Sequence, residues 1–167
     1  MELKEMAEKT LELFGVLDIK DLGAAMLDSC NDHEKLEAFS KMVDHDLSVD
    51  HVQKIYQYYL ADRKEKKQDY TPSSIALFMG LFVKDCENII DMCAGSGALI
   101  IQKWNDNKDA CFTAIEYDDN VIPFLVFNMV LRNIQCRIIH GDALSDDKPK
   151  KIIDVRKGKK FGNIINI

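Results

Sequence analysis

Apolar and polar positions change their rhythm near the middle of the chain. Up to about residue 60 the apolar residues recur at helical spacing. Leu3, Met6, Leu11, Leu13 and Phe14 lie on roughly one face, with Gly15 as a stop. The same pattern predicts a second helix from Asp18 through Leu22, Ala25 and Met26 to Asn31, and a third from His33 to Val43. Ser48 is the expected cap of a fourth, in which Val52, Ile55, Tyr56, Tyr59 and Leu60 keep spacings of three and four. Arg63 to Lys67 is a charged link without pattern, and it suggests a boundary between a helical region, 1–65, and a second unit, 66–167. Thr71-Pro72-Ser73 is a helix-entry signal, followed by Ile75, Leu77, Phe78, Leu81 and Phe82.

Short apolar runs then take over, at Asn88–Met92, Ala110–Glu116, Cys136–His140 and Gly162–Ile167. Helical stretches, Gly97–Asn105 and Asn120–Asn133, separate the first three. Strands alternating with helices predict an α/β fold with a parallel sheet. Right-handed crossovers place the second strand beside the first and the third outside it. The fourth strand is then expected on the other side of the first, at the switch point where ligands bind.

The chemistry is concentrated where the first run ends, in Asp91-Met92-Cys93-Ala94-Gly95-Ser96-Gly97-Ala98-Leu99. A strand closing on an acid, a small-residue turn and a helix start lets backbone N–H groups approach a nucleotide-like ligand. Glu116 follows Gly95 by about 20 residues and ends the second run, where a ribose-binding carboxylate sits. Ile100 stands where a dinucleotide fingerprint has its third glycine, so the pattern favours S-adenosylmethionine (SAM) over NAD.

Composition narrows the class. The 167 residues are 47% hydrophobic and 30% charged, ample for a core and ordinary for a soluble protein. A net charge of −6 argues against coating nucleic acid by bulk electrostatics, although Lys148 to Lys160 holds seven Lys or Arg and one acid. That run is read as a solvated loop, with phosphate contact as the alternative. Five cysteines and four histidines show neither CxxC nor metal-ligand spacing, so reduced thiols and no metal are expected. Without an apolar run of membrane-spanning length or a signal-peptide core, the chain reads as cytoplasmic, with no membrane partner.

Gln68-Asp69-Tyr70-Thr71-Pro72, Asp91 to Leu99, Glu116-Tyr117-Asp118 and Gly141-Asp142-Ala143-Leu144 occur in order. Together they resemble the modification (methylase) subunits of type I restriction–modification systems, adenine-N6 DNA methyltransferases that use SAM. The resemblance runs from about residue 50 to the end. It implies a Rossmann-like SAM-dependent methyltransferase fold with an incomplete parallel sheet and an N-terminal helical region. It also implies a cofactor site built from Tyr70, Thr71, Pro72, Asp91, Cys93, Ala94, Gly95, Ser96, Gly97, Glu116, Tyr117, Asp142, Ala143 and Leu144. By that resemblance Tyr70 to Pro72 lie against the methionine part of SAM and Asp91 pairs with its ammonium. Glu116 accepts from both ribose hydroxyls, Tyr117 packs on the adenine, and Asp142 meets the adenine amino group between Ala143 and Leu144. Met92 and Ala98 depart from the family's usual proline and glycine. Asn128, in Asn128-Met129-Val130-Leu131, is as well suited to packing or capping as to ligand contact.

The family's Asn/Asp-Pro-Pro-Tyr/Phe tetrapeptide, which holds the flipped target base, is missing, and Asn166 falls nearest to its first position. The resemblance therefore implies a chain truncated before that motif, binding SAM but not competent alone for methyl transfer to adenine N6. The competing readings are a non-catalytic SAM-binding or assembly module that pairs with another chain, and an enzyme with a non-DNA substrate. An apolar fourth strand left at a sheet edge invites a protein partner or self-association.

Overall fold

The computed structural model describes residues 2–60, 73–83 and 87–166. Tyr70, Thr71 and Pro72 lie outside the described residues. Four helices come first: α1 (Leu3–Phe14), α2 (Leu22–Asp28), α3 (His33–Met42) and α4 (His51–Tyr59). Gly15, at φ 71°, lets α1 close with paired bonds from Gly15 N–H to the Glu12 carbonyl and from Val16 N–H to the Leu11 carbonyl. The single helix expected from Asp18 to Asn31 is divided, α2 being flanked by 3₁₀ turns at Ile19–Asp21 and Ser29–Asn31. Asp32 caps α3 by accepting from the Glu34 and Lys35 N–H groups. Asp50, rather than the expected Ser48, caps α4 by accepting from Gln53 N–H at 2.9 Å. The Ser48 hydroxyl turns instead to the Asp46 carboxylate.

Helix α5 (Ser73–Phe82) leads into β1 (Asn88–Asp91), α6 (Ala98–Asp106), β2 (Cys111–Glu116), α7 (Ile122–Leu131), β3 (Cys136–His140), β4 (Lys151–Arg156) and β5 (Asn163–Asn166). The sheet order is β1-β2-β3-β4-β5. β1, β2 and β3 are parallel, whereas β4 is antiparallel to β3 and β5 antiparallel to β4. The expected place of the last strand beside β1 is therefore overturned. β4 went unread because its core-facing Ile153 and Val155 are interspersed with Lys151, Asp154 and Arg156. Once β4 extends the sheet beyond β3, the short connection 157–162 permits only a hairpin, since a parallel crossover needs a dozen residues or more. Asn133 locks this hairpin, donating to the Gly158 carbonyl at 3.0 Å and accepting from Gly158 N–H at 2.7 Å. Asn166 thus sits opposite Asp154 at the far edge of the sheet, four strands from β1.

Helix α7 organises the core. Ile122 and every residue from Phe124 to Leu131 are buried, as expected of a helix that is apolar all round. Phe127 meets the rings of Phe14 and Phe39 edge-on at 5.5 and 5.2 Å, and Phe124 meets Tyr56 at 5.3 Å. One apolar core therefore runs from α1, α3 and α4 through α7 to Phe112, Ala114, Ile138, Ile153 and Val155 of the sheet. The opposite sheet face carries exposed Ile90 and Ile152 and the Arg137–Asp154 ion pair, 2.8 Å. No helix among the described residues is long and apolar enough to cross a membrane.

Candidate functional site

The C-terminal ends of β1, β2 and β3 deliver three carboxylates in succession: Asp91, Glu116 and, just after His140, Asp142. Ligands collect at this end of a parallel sheet because the strands stop there and the loops open. Between Asp91 and α6 the chain turns sharply. Gly95 and Gly97 adopt φ of 55° and 96°, open to glycine at little cost. The Ala94 N–H donates to the Ile115 carbonyl at 3.0 Å and the Gly97 N–H to the Ala94 carbonyl at 2.8 Å. At Gly97 the need is also steric, because a Cβ would stand 2.8 Å from Met129 Cε and 3.0 Å from Leu125 Cδ1 of α7.

Glu116 holds this turn from the side. Its Oε2 accepts from Gly95 N–H at 2.8 Å, and Oε1 accepts from the N–H groups of Tyr117 and Asp118 at 2.9 and 2.8 Å. A carboxylate offers about four acceptor positions, so these bonds leave room for one hydroxyl. Bidentate contact with two ribose hydroxyls requires one backbone donor to be released or shared.

Asp91 differs. Oδ1 accepts from Cys93 N–H at 3.2 Å, while Oδ2 is buried with no hydrogen-bond partner among the described residues. Burial raises the Asp91 carboxyl above its ordinary value; the Cys93 N–H opposes that shift and the negative charge of Glu116 adds to it. Asp91 also lines a cavity of about 250 Å³, shared with the buried Lys103 and otherwise bounded by apolar residues, among them Met79, Ile89, Leu99 and Phe112. An uncompensated carboxylate oxygen beside an apolar hollow is suited to a cation on an aliphatic stem.

The remaining candidates form the rim. Cys93 is an exposed free thiol and Ala94 is buried under the turn. Tyr117 is exposed, with Lys150 Nζ 5.2 Å from its ring centre. His140 Nε2 lies 3.3 Å from both the Tyr117 carbonyl and Asp119, which also pairs with Lys150 at 2.8 Å. These contacts clamp the loop after β2 to the loop after β3. Asp142 accepts from Leu144 N–H at 2.9 Å, and Leu144 is fully exposed. No metal-binding group of His, Cys, Asp and Glu occurs among the described residues.

Beneath the turn lies a buried polar network that sequence reasoning did not assemble. Ser96 donates its hydroxyl to Asp50 Oδ2 at 2.7 Å. Asn128 donates to Asp50 Oδ1 at 3.0 Å and to the Ser96 carbonyl at 2.8 Å, so both of its amide hydrogens are used within the chain. Arg132 completes the set, donating to Asn128 Oδ1 and to the Leu47 and Val49 carbonyls. Burial lowers the Arg132 guanidinium to about 10, against the attraction of Asp50 and Asp46. The local signal for Asp50 was legible: an Asp three residues before Gln53 resembles a capping box. Its bonds to residues 96 and 128 were not.

The fold and the strand-end carboxylates define a class, an α/β domain that gathers acidic side chains at the C-terminal edge of its parallel strands. The sequence profile described as N-6 DNA Methylase matches residues 27–165, and the chain belongs to that family. No curated protein matches. Among solved structures, a protein from Listeria monocytogenes described as a candidate class I S-adenosylmethionine-dependent methyltransferase aligns with a TM-score of 0.51 at 16% identity, over 87% of this chain and 54% of that one. The methyltransferase subunit of a type I restriction–modification system from Streptococcus thermophilus aligns with a TM-score of 0.48 at 17% identity, over 89% and 41%. The chain thus spans about half the length, or less, of these solved relatives.

Proposed function

We propose that this chain is the SAM-binding part of an adenine-N6 DNA methyltransferase. The observation that carries the reading is Asp91 Oδ2, a buried carboxylate oxygen without a partner among the described residues, at the end of β1. The ammonium of a methionine moiety supplies the missing charge and donors. Glu116 offers the acceptor position left for a ribose hydroxyl, and Tyr117, Asp142, Ala143 and Leu144 border the place for the adenine. Tyr70, Thr71 and Pro72 are assigned to the methionine side on the family pattern alone. Bound SAM supplies an electrophilic methyl group on a sulfonium. The residues of this chain hold and orient that donor through Asp91, the 93–97 turn and Glu116.

The acceptor is proposed to be an adenine of DNA, on family membership. Lys150, Lys157 and Lys160, three of the seven basic residues of the 148–160 run, are paired with Asp119, Asp109 and Glu37. We assign the helical region 1–65 to support of the cofactor unit 66–167, and place the protein in the cytoplasm. The edge strand β5, with Ile165 exposed, is the proposed place for a protein partner or a second copy.

Calorimetric titration with SAM and S-adenosylhomocysteine tests the cofactor reading. Saturable binding that Asp91→Ala and Glu116→Ala weaken supports it; no binding at millimolar ligand overturns it. Radiolabelled methyl transfer to adenine-containing DNA tests the acceptor. Cofactor binding without transfer favours a non-catalytic assembly module. Light scattering at high concentration tests association through β5.

A further inference from the structure

We infer that Asp50 is the positioning residue of the cofactor turn, so that the N-terminal helices set the geometry of the ligand site. Ser96 stands between the two glycines with positive φ, in the stretch of backbone that loses most freedom on ordering. It is gripped at two points, its hydroxyl by Asp50 Oδ2 and its carbonyl by Asn128. Asn128 is in turn held by Asp50 Oδ1, and its own Oδ1 accepts from Arg132 Nη1 at 2.7 Å. Arg132 fixes the 47–49 segment through the Leu47 and Val49 carbonyls, and so fixes Asp50. Asp50, Ser96, Asn128 and Arg132 are all buried. Each amide hydrogen of Asn128 and each oxygen of Asp50 is used, so the turn has one arrangement that satisfies the network. A half-satisfied network in a low-dielectric interior is costly, which makes the arrangement cooperative. Asp50 also belongs to the α4 cap, so any displacement of α4 reaches the glycine turn through one side chain.

This inference rests on the cofactor reading for its functional consequence but not for its structural one, and two measurements separate them. The first is amide hydrogen exchange at Gly95 and Gly97; the second is the affinity for S-adenosylhomocysteine. Asp50→Ala is expected to speed exchange at 95–97 while leaving β3 amides unchanged, and to weaken binding about ten-fold or more, because the turn is no longer preorganised. Asp50→Asn keeps an oxygen for Gln53 and Asn128 and presents an amide to the Ser96 hydroxyl, which can accept. Because it also withdraws the charge that faces the buried Arg132 guanidinium, it is expected to recover part of the lost protection and affinity, falling between Asp50→Ala and wild type in both readouts. Leu36→Ala, fully buried and outside the network, is the control for plain destabilisation and should leave both readouts near wild type. Should Asp50→Ala not fold, Ser96→Ala removes only the hydroxyl bond, and faster exchange at Gly95 and Gly97 is again expected. Exchange unchanged in the Asp50 or Ser96 variant, or effects matched by Leu36→Ala, overturns the inference. If the wild type binds no S-adenosylhomocysteine, the cofactor reading fails and exchange alone decides the role of Asp50.

Discussion

Asp91→Asn separates ligand binding from stability more cleanly than any other change at this site. In the free protein Oδ1 accepts from Cys93 N–H and Oδ2 lacks a partner among the described residues. Asparagine keeps the first bond and replaces a buried ionised group by a neutral one, which costs less to bury. The free variant is therefore expected to melt at or above the wild-type temperature at pH 7. The sign of the pH dependence follows from the raised Asp91 pKa. The folded state holds a proton where the unfolded chain has released it, so Asp91 favours folding at low pH. That contribution is lost as pH rises from the unfolded carboxyl value, about 3.9, through the raised folded value. The stability advantage of the variant should grow across the same window. Ligand binding moves the other way. Loss of a charge-assisted bond to an ammonium costs about 1.5–3 kcal/mol, or roughly 10- to 150-fold in Kd. Calorimetry with S-adenosylhomocysteine should show that loss, whereas 5′-methylthioadenosine, which lacks the amino acid, should bind both proteins alike. Equal losses for both ligands, or a lower melting temperature of the free variant, would refute the assignment.

Other changes probe the parts that hold the site. Gly97→Ala imposes a side chain at φ 96° and presses on Met129 and Leu125; since the methionine tip can yield, backbone strain dominates, and urea unfolding should show a loss of about 2 kcal/mol. Glu116→Gln sets an amide against the Gly95 N–H that Oε2 now accepts, and the same assay should show about 1–3 kcal/mol lost, together with weaker S-adenosylhomocysteine binding. Phe127→Ala removes the ring that meets Phe14 and Phe39 and should cost about 3–5 kcal/mol, read as an earlier urea midpoint with a two-state slope.

The sequence by itself determined the parts whose signals are local. Apolar periodicity located α1, α3, α4, α6, α7 and the three parallel strands, because burial of one face repeats within a few residues. The Asp91–Leu99 turn and the distance to Glu116 were legible for the same reason: a strand, a turn and a helix start follow one another without interruption. Tertiary structure alone decided the rest. Lys151–Arg156 reads as a charged loop until β3 offers its edge, after which Ile153 and Val155 face the core and the charges face outward. That pairing carried the last strand to the far edge and removed Asn166 from the neighbourhood of β1. The Asp50 network joins residues separated by 46 and 78 positions, a distance over which no spacing rule operates. Its partners are specified by which polar groups the core buries together, and burial is a property of the folded chain as a whole.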